Sequence, residues 1–118
     1  MSIKRISVGP RLAGAVIHNG VAWLSGQVPD DRSQDCAGQT RQVLAKIDAV
    51  LAEAGSDKSR LLSAQIWLKD INADFAAMNE AWVEWLPEGA APARATTQAD
   101  LASPDVLVEI MLTAATRD

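Results

Sequence analysis

The run Val106-Leu107-Val108-Glu109-Ile110-Met111-Leu112 limits this chain most sharply. It is short enough for one strand and apolar on both alternating faces, apart from one carboxylate. A strand of that kind is normally covered on both sides. The rest of the chain must therefore supply a sheet around it and layers over it.

Ile3 to Val8 alternates as a short strand and stops at Gly9-Pro10. Ala13 to His18 and Val21 to Ser25 flank Asn19-Gly20, the strongest short hairpin signal, so they should pair antiparallel. A helix is expected from about Ser33 to Ala54, with Val43, Leu44, Ile47, Val50 and Leu51 at helical spacing and Gly55 as its stop. Leu61 to Leu68 reads as a strand with Leu62, Ala64, Ile66 and Leu68 on one face. Asn72 is the expected N-cap of a second helix ending near Leu86. Its buried stripe should be Phe75, Met78, Trp82, Trp85 and Leu86. Strands from Ala93 to Asp100 and Val106 to Ala114 complete the order β-β-β-α-β-α-β-β.

The expected fold class is α+β, a mixed six-stranded β-sheet with two helices packed on one face. The 118 residues suit a single domain, 1–118. One helical layer cannot cover both faces of the last strand, so a homo-oligomer with packed sheets is the natural inference.

Charge and rare residues narrow the chemistry. A formal net charge of −4 argues against a nucleic-acid partner, since phosphate binding needs a basic footprint. No apolar run approaches the ~20 residues of a membrane span, and the opening residues lack a secretory-signal pattern. One cysteine, Cys36, excludes an intrachain disulfide, so a cytoplasmic protein is expected. With one cysteine and one histidine, no common zinc pattern is present, and no metal is expected. No glycine-rich nucleotide loop occurs. His18 has no partnered nucleophile nearby and reads as a strand-end residue. Cys36 reads as packing or surface, because Asp30, Asp31 and Asp35 make its surroundings acidic.

Three polar residues stand where the pattern calls for apolar ones. Glu109 interrupts the last strand and must be paired, reach solvent or shift its pKa. Arg94 leads a polar stripe with Thr96 and Gln98. Ala93, Ala95 and Ala99 face the other way, where they could pack under a helix. Guanidinium matches carboxylate with two parallel hydrogen bonds, so Arg94 suits a small carboxylate ligand, or a simple ion pair with Glu109. Asn79, within the second helix's apolar stripe, reads as a tie to neighbouring backbone. Ser25-Gly26 offers a hydroxyl and open backbone where a strand turns.

These pieces together resemble the RidA family, also called YjgF or reactive-intermediate imine deaminases. The matching stretches are Leu24-Ser25-Gly26-Gln27-Val28-Pro29, Gln39-Thr40-Arg41-Gln42-Val43-Leu44 and Leu51-Ala52-Glu53-Ala54-Gly55. They continue with Asp74-Phe75-Ala76-Ala77-Met78-Asn79, Pro92-Ala93-Arg94-Ala95 and Val108-Glu109-Ile110. The resemblance implies a chorismate-mutase-like homotrimer with sites in clefts between subunits and no metal or organic cofactor. It implies hydrolysis of 2-aminoacrylate and 2-imino acids to 2-oxo acids and ammonia. It gives Arg94 the substrate carboxylate and Glu109 the water, with Ser25 and Gly26 lining the pocket and Asn79 nearby. Leu12 stands where many members carry a pocket tyrosine, Thr96 where a pocket cysteine is frequent, and Lys46 where an asparagine is usual. The chain has no tyrosine at all, which marks a divergent subfamily. A non-catalytic trimer binding small carboxylates, as sensor or scaffold, is the second reading. An endoribonuclease fits poorly with the acidic charge.

Overall fold

The computed structural model describes residues 2–117. Its elements are β1 (Lys4–Val8), β2 (Ala13–His18), β3 (Val21–Leu24), α1 (Cys36–Glu53), β4 (Leu61–Leu68), α2 (Ile71–Trp85), β5 (Ala93–Gln98) and β6 (Val108–Ala115), with one 3-10 turn at Lys58–Arg60. The sheet has six strands in the order β1-β2-β3-β6-β4-β5. Only β4 and β5 pair in parallel, so the sheet is mixed as expected.

Asn19 and Gly20 both take positive φ, 51° and 77°, and His18 pairs with Val21. That is the primed hairpin turn whose twist matches its strands. The last strand lands in the sheet's interior, between β3 and β4. Val108, Ile110, Leu112 and Ala114 are buried against the helices, in one cluster with Val43, Leu44, Ile47 and Leu51 of α1 and Met78 and Trp82 of α2. Glu109, Met111 and Thr113 point to the opposite, outer face. Met111 and Trp23 stay exposed there, so one chain leaves the outer face uncovered.

Several expectations shift. α1 begins at Cys36, not Ser33, because the Asp35 carboxylate caps it by accepting from the Gly38 N–H at 2.9 Å. It ends as expected at Gly55, whose φ of 77° lets the Ser56 N–H reach back to the Leu51 carbonyl at 2.9 Å. Asp70, not Asn72, caps α2, accepting from the Ala73 N–H. Phe75 is 42% exposed, outside the buried stripe. α2 packs mainly on α1, which centres its buried arc on Met78, Ala81 and Trp82 and leaves Phe75 at the margin. In β4 a bulge between Leu61 and Ser63 slips the alternation by one residue. Leu61, not Leu62, therefore joins Ala64, Ile66 and Leu68 in the core. β5 stops at Gln98, and β6 starts two residues later than expected, because the Leu107 N–H is taken by the Gln39 side chain at 2.8 Å.

Candidate functional site

Glu109 is fixed by its register. It lies opposite Trp67 of β4, on the outer face. Beyond β3 the chain continues along β6 through Gln27, whose N–H and C=O both pair with Ile110, at 2.9 and 3.2 Å. Gly26 thereby meets the Glu109 side chain. A Cβ at Gly26 would fall 2.2 Å from Oε2, so only glycine lets the carboxylate lie against this backbone. Ser25 is held just before it. Its N–H donates to the Gly14 carbonyl at 3.0 Å and its hydroxyl to the Ala13 carbonyl at 2.5 Å. Leu12, 60% exposed, precedes that same Ala13. Lys46 anchors the following segment, donating to the Val28 carbonyl at 2.9 Å and pairing with Asp30 at 3.0 Å. Ser25, Gly26, Glu109 and, through Ala13, Leu12 thus form one group.

Arg94 belongs to a different group. β5 is an edge strand, and Arg94 lies beside Ala64 while Thr96 lies beside Ile66. Ala64 and Ile66 face the core. The stripe of Arg94, Thr96 and Gln98 therefore faces the helices, and Ala93 and Ala95 face outward, the reverse of the sequence expectation. Gln98 confirms the direction by accepting from the Ile71 N–H at the start of α2, at 2.9 Å. The Arg94 guanidinium carbon lies 5.7 Å from the centre of the Trp82 indole on α2. Among the described residues it has no carboxylate within ion-pair distance and no hydrogen-bond acceptor. Partial burial lowers its pKa from the ordinary arginine value. Two residues along, the Thr96 hydroxyl is buried with no partner among the described residues. Asn79, three residues before Trp82, is half-buried, and among the described residues its amide ties down no backbone segment as the sequence had suggested.

The sheet itself lies between Arg94 and Glu109, so the simple ion pair between them within one chain does not form. Two contributors escaped the sequence reading. Trp82 looked like core packing alone. Gln39 is fully buried, its amide nitrogen 2.9 Å from the Asp105 carbonyl and 3.1 Å from the Gln34 carbonyl, its oxygen accepting from Leu107. It fixes the approach to β6 and so the placing of Glu109. The signal was present: Gln39 stands four and eight residues before Val43 and Ile47, a polar exception on an apolar helical stripe. Among the described residues, no helix is long and apolar enough to cross a membrane.

A two-helix layer on one face of a six-stranded mixed sheet, with its other face open, defines the class of protein. A structure of a YjgF-family protein from Neisseria meningitidis superposes on it with a TM-score of 0.96, at 47% identity, covering 100% of this chain and 98% of that one. The YoaB protein of Escherichia coli strain K12, a RutC family protein, is 48% identical over 115 residues, 98% of this chain and 99% of its own length. A RutC family protein of Haemophilus ducreyi is 48% identical over 113 residues, 96% of each chain. The family model described as Endoribonuclease L-PSP matches residues 3–116. The chain belongs to that family, the RutC/YjgF proteins.

Proposed function

We propose that this protein hydrolyses small enamines and 2-imino acids, such as 2-aminoacrylate and its imine tautomer, to 2-oxo acids and ammonia. One observation carries the reading. Among the described residues Arg94 has no acid of its own and lies over the Trp82 ring at an open sheet edge, while the Glu109 carboxylate lies against Gly26. Guanidinium takes a carboxylate through two parallel hydrogen bonds, which fixes the adjoining imine carbon. Glu109 accepts a proton as water adds to that carbon and passes it to the nitrogen, giving a carbinolamine. It then takes the hydroxyl proton and passes it to the nitrogen as the C–N bond breaks, so ammonia leaves as the C=O forms. An imine carbon is electrophilic already, and this sequence asks for no cofactor.

Because the sheet separates the two groups in one chain, they act on one molecule only if a second chain lends one of them. The uncovered outer face supports such an assembly. Trp23 and Met111 are exposed on it, and a depression of about 350 Å³ beside β5 is bordered by Ser63, Gln65, Ala95 and Met111. The arrangement we infer is a homotrimer with Arg94 of one chain facing Ser25, Gly26 and Glu109 of the next. A cytoplasmic location suits an enzyme of reactive metabolites. RNA cleavage, which the family description names, is opposed by the net charge of −4. Leu12, exposed where relatives of the resemblance carry an aromatic hydroxyl, favours one other reading: a trimer that binds small carboxylates without turning them over.

The test generates 2-iminopropanoate in solution and follows its disappearance. Wild type should accelerate it, and Arg94→Ala should lose roughly thirtyfold or more, the worth of a charge-assisted pair of about 2 kcal/mol. A wild-type rate equal to buffer removes the enzyme reading. If that inactive protein still binds pyruvate and Arg94→Ala does not, the carboxylate-binding reading replaces it.

A further inference from the structure

We propose that Trp82 is a positioning residue for Arg94, setting the plane of the guanidinium so that its N–H edge is presented to a 2-oxo or 2-imino acid. The inference rests on the carboxylate-clamp reading of Arg94. An arginine on an edge strand has neighbours on one side only, and its long side chain keeps much rotamer freedom. Among the described residues, no acid or carbonyl restrains this one. The indole of Trp82, 5.7 Å from the guanidinium carbon, is within cation–π range. A guanidinium has two faces and an edge. A cation–π contact made through a face leaves in the edge every N–H that a carboxylate needs.

The platform is itself buried and braced. Trp82 is only 4% exposed. Its ring packs against Trp85 with centres 5.6 Å apart at a 40° tilt. The Trp85 Nε1–H donates to the Asp48 carboxylate on α1 at 3.0 Å. The order Asp48, Trp85, Trp82, Arg94 thus ties the guanidinium to both helices. A side chain ordered before the ligand arrives loses less entropy when it binds.

The experiment compares wild type with Trp82→Phe and Trp82→Met by two measurements. The first is the Nε–Hε NMR correlation of Arg94 in the ligand-free protein at mildly acidic pH, assigned by its absence in Arg94→Lys. Ring current should displace it in wild type, partly in Trp82→Phe, and leave it at the position of a free arginine in Trp82→Met. The second is the calorimetric Kd for pyruvate, which should weaken roughly three- to thirtyfold in Trp82→Met and recover in Trp82→Phe. An Arg94 signal at the free-arginine position in wild type, or unmoved by either substitution, overturns the proposal. So does a Trp82→Met protein that binds pyruvate as wild type does. Should Trp82→Met fail to fold, the part-way shift in Trp82→Phe decides. A wild type that shows the displaced signal yet ignores pyruvate removes the clamp reading and leaves the positioning of Arg94 standing.

Discussion

Gly26 and Glu109 share a space that holds either a Cβ or a carboxylate. The Oε2 of Glu109 sits 2.2 Å from where a Cβ on Gly26 would be, with Cδ at 3.2 Å. Gly26→Ala must therefore move something, and the yielding part is the flexible end of the glutamate. The fold should survive, with a thermal midpoint near wild type, because Gly26 is not among the positive-φ glycines. On the proposed mechanism imine hydrolysis should fall by at least about tenfold while the Kd for pyruvate, assigned there to Arg94, changes little, since acid–base placement typically contributes two or more orders of magnitude. Equal kcat values in the two proteins would show that the position of this carboxylate does not matter.

Gln39 makes a second, purely structural prediction. Its buried amide bonds the carbonyls of Gln34 and Asp105 and the N–H of Leu107. Gln39→Leu matches its size but strands those backbone groups away from water. The cost should be roughly 2–4 kcal/mol from several buried polar groups left unpaired. Urea denaturation reads it directly as a lowered midpoint at unchanged slope. Glu109 sits two residues beyond Leu107, so kcat should fall even where the variant is fully folded. A loss of stability under about 0.5 kcal/mol would mean that water replaces the amide, since surface-like substitutions stay in that range.

Cys36 supplies the pH prediction. The sequence ascribes its inertness to acidic neighbours. The structure puts burial first, with Asp74 and Asp35 adding to it, and together they push the thiol up to about 11 from 9.0. The folded state thus holds the proton more tightly than the unfolded chain. Its contribution is complete below pH 9.0 and is lost as pH climbs towards 11. Cys36→Ala should flatten the fall in urea midpoint across that window relative to wild type. Labelling by a thiol reagent at neutral pH should proceed only as fast as the protein opens. Rapid labelling of the native protein would contradict the buried, protonated thiol.

The elements were legible where local chemistry decides them. Asn19-Gly20 admits one hairpin, and the apolar run around Ile110 has no stable place outside a sheet interior. What stayed hidden depends on partners far along the chain. Alternation groups Arg94 with Thr96 and Gln98, but only pairing with Ala64 and Ile66 decides which face they take. The bulge at Leu61/Ser63 arises between two strands and has no local signature. Phe75 satisfies the helical period yet falls at the edge of an arc fixed by α1. For the candidate site, the sequence singled out Ser25, Gly26, Arg94 and Glu109, and its resemblance implied clefts between subunits, but it left open how one chain divides them into two groups. It also missed that Trp82, one more apolar residue in a stripe, lies against a cation.

That separation permits a test of the assembly by mixing. If each site takes Arg94 from one chain and Glu109 from the next, Arg94→Ala and Glu109→Ala proteins are each inactive for a different reason. Unfolding and refolding them together creates trimers in which an intact Arg94 meets an intact Glu109 at one cleft of the ring. Random 1:1 assembly of a closed three-membered ring puts such a cleft at about a quarter of all sites, so about a quarter of wild-type activity should return. Sites confined to one chain would return none, since every chain in the mixture lacks one of the two groups. Sedimentation of the mixture gives the independent control. A stable monomer would remove the shared site, whereas a trimer without recovered activity would mean that Arg94 and Glu109 do not serve the same molecule.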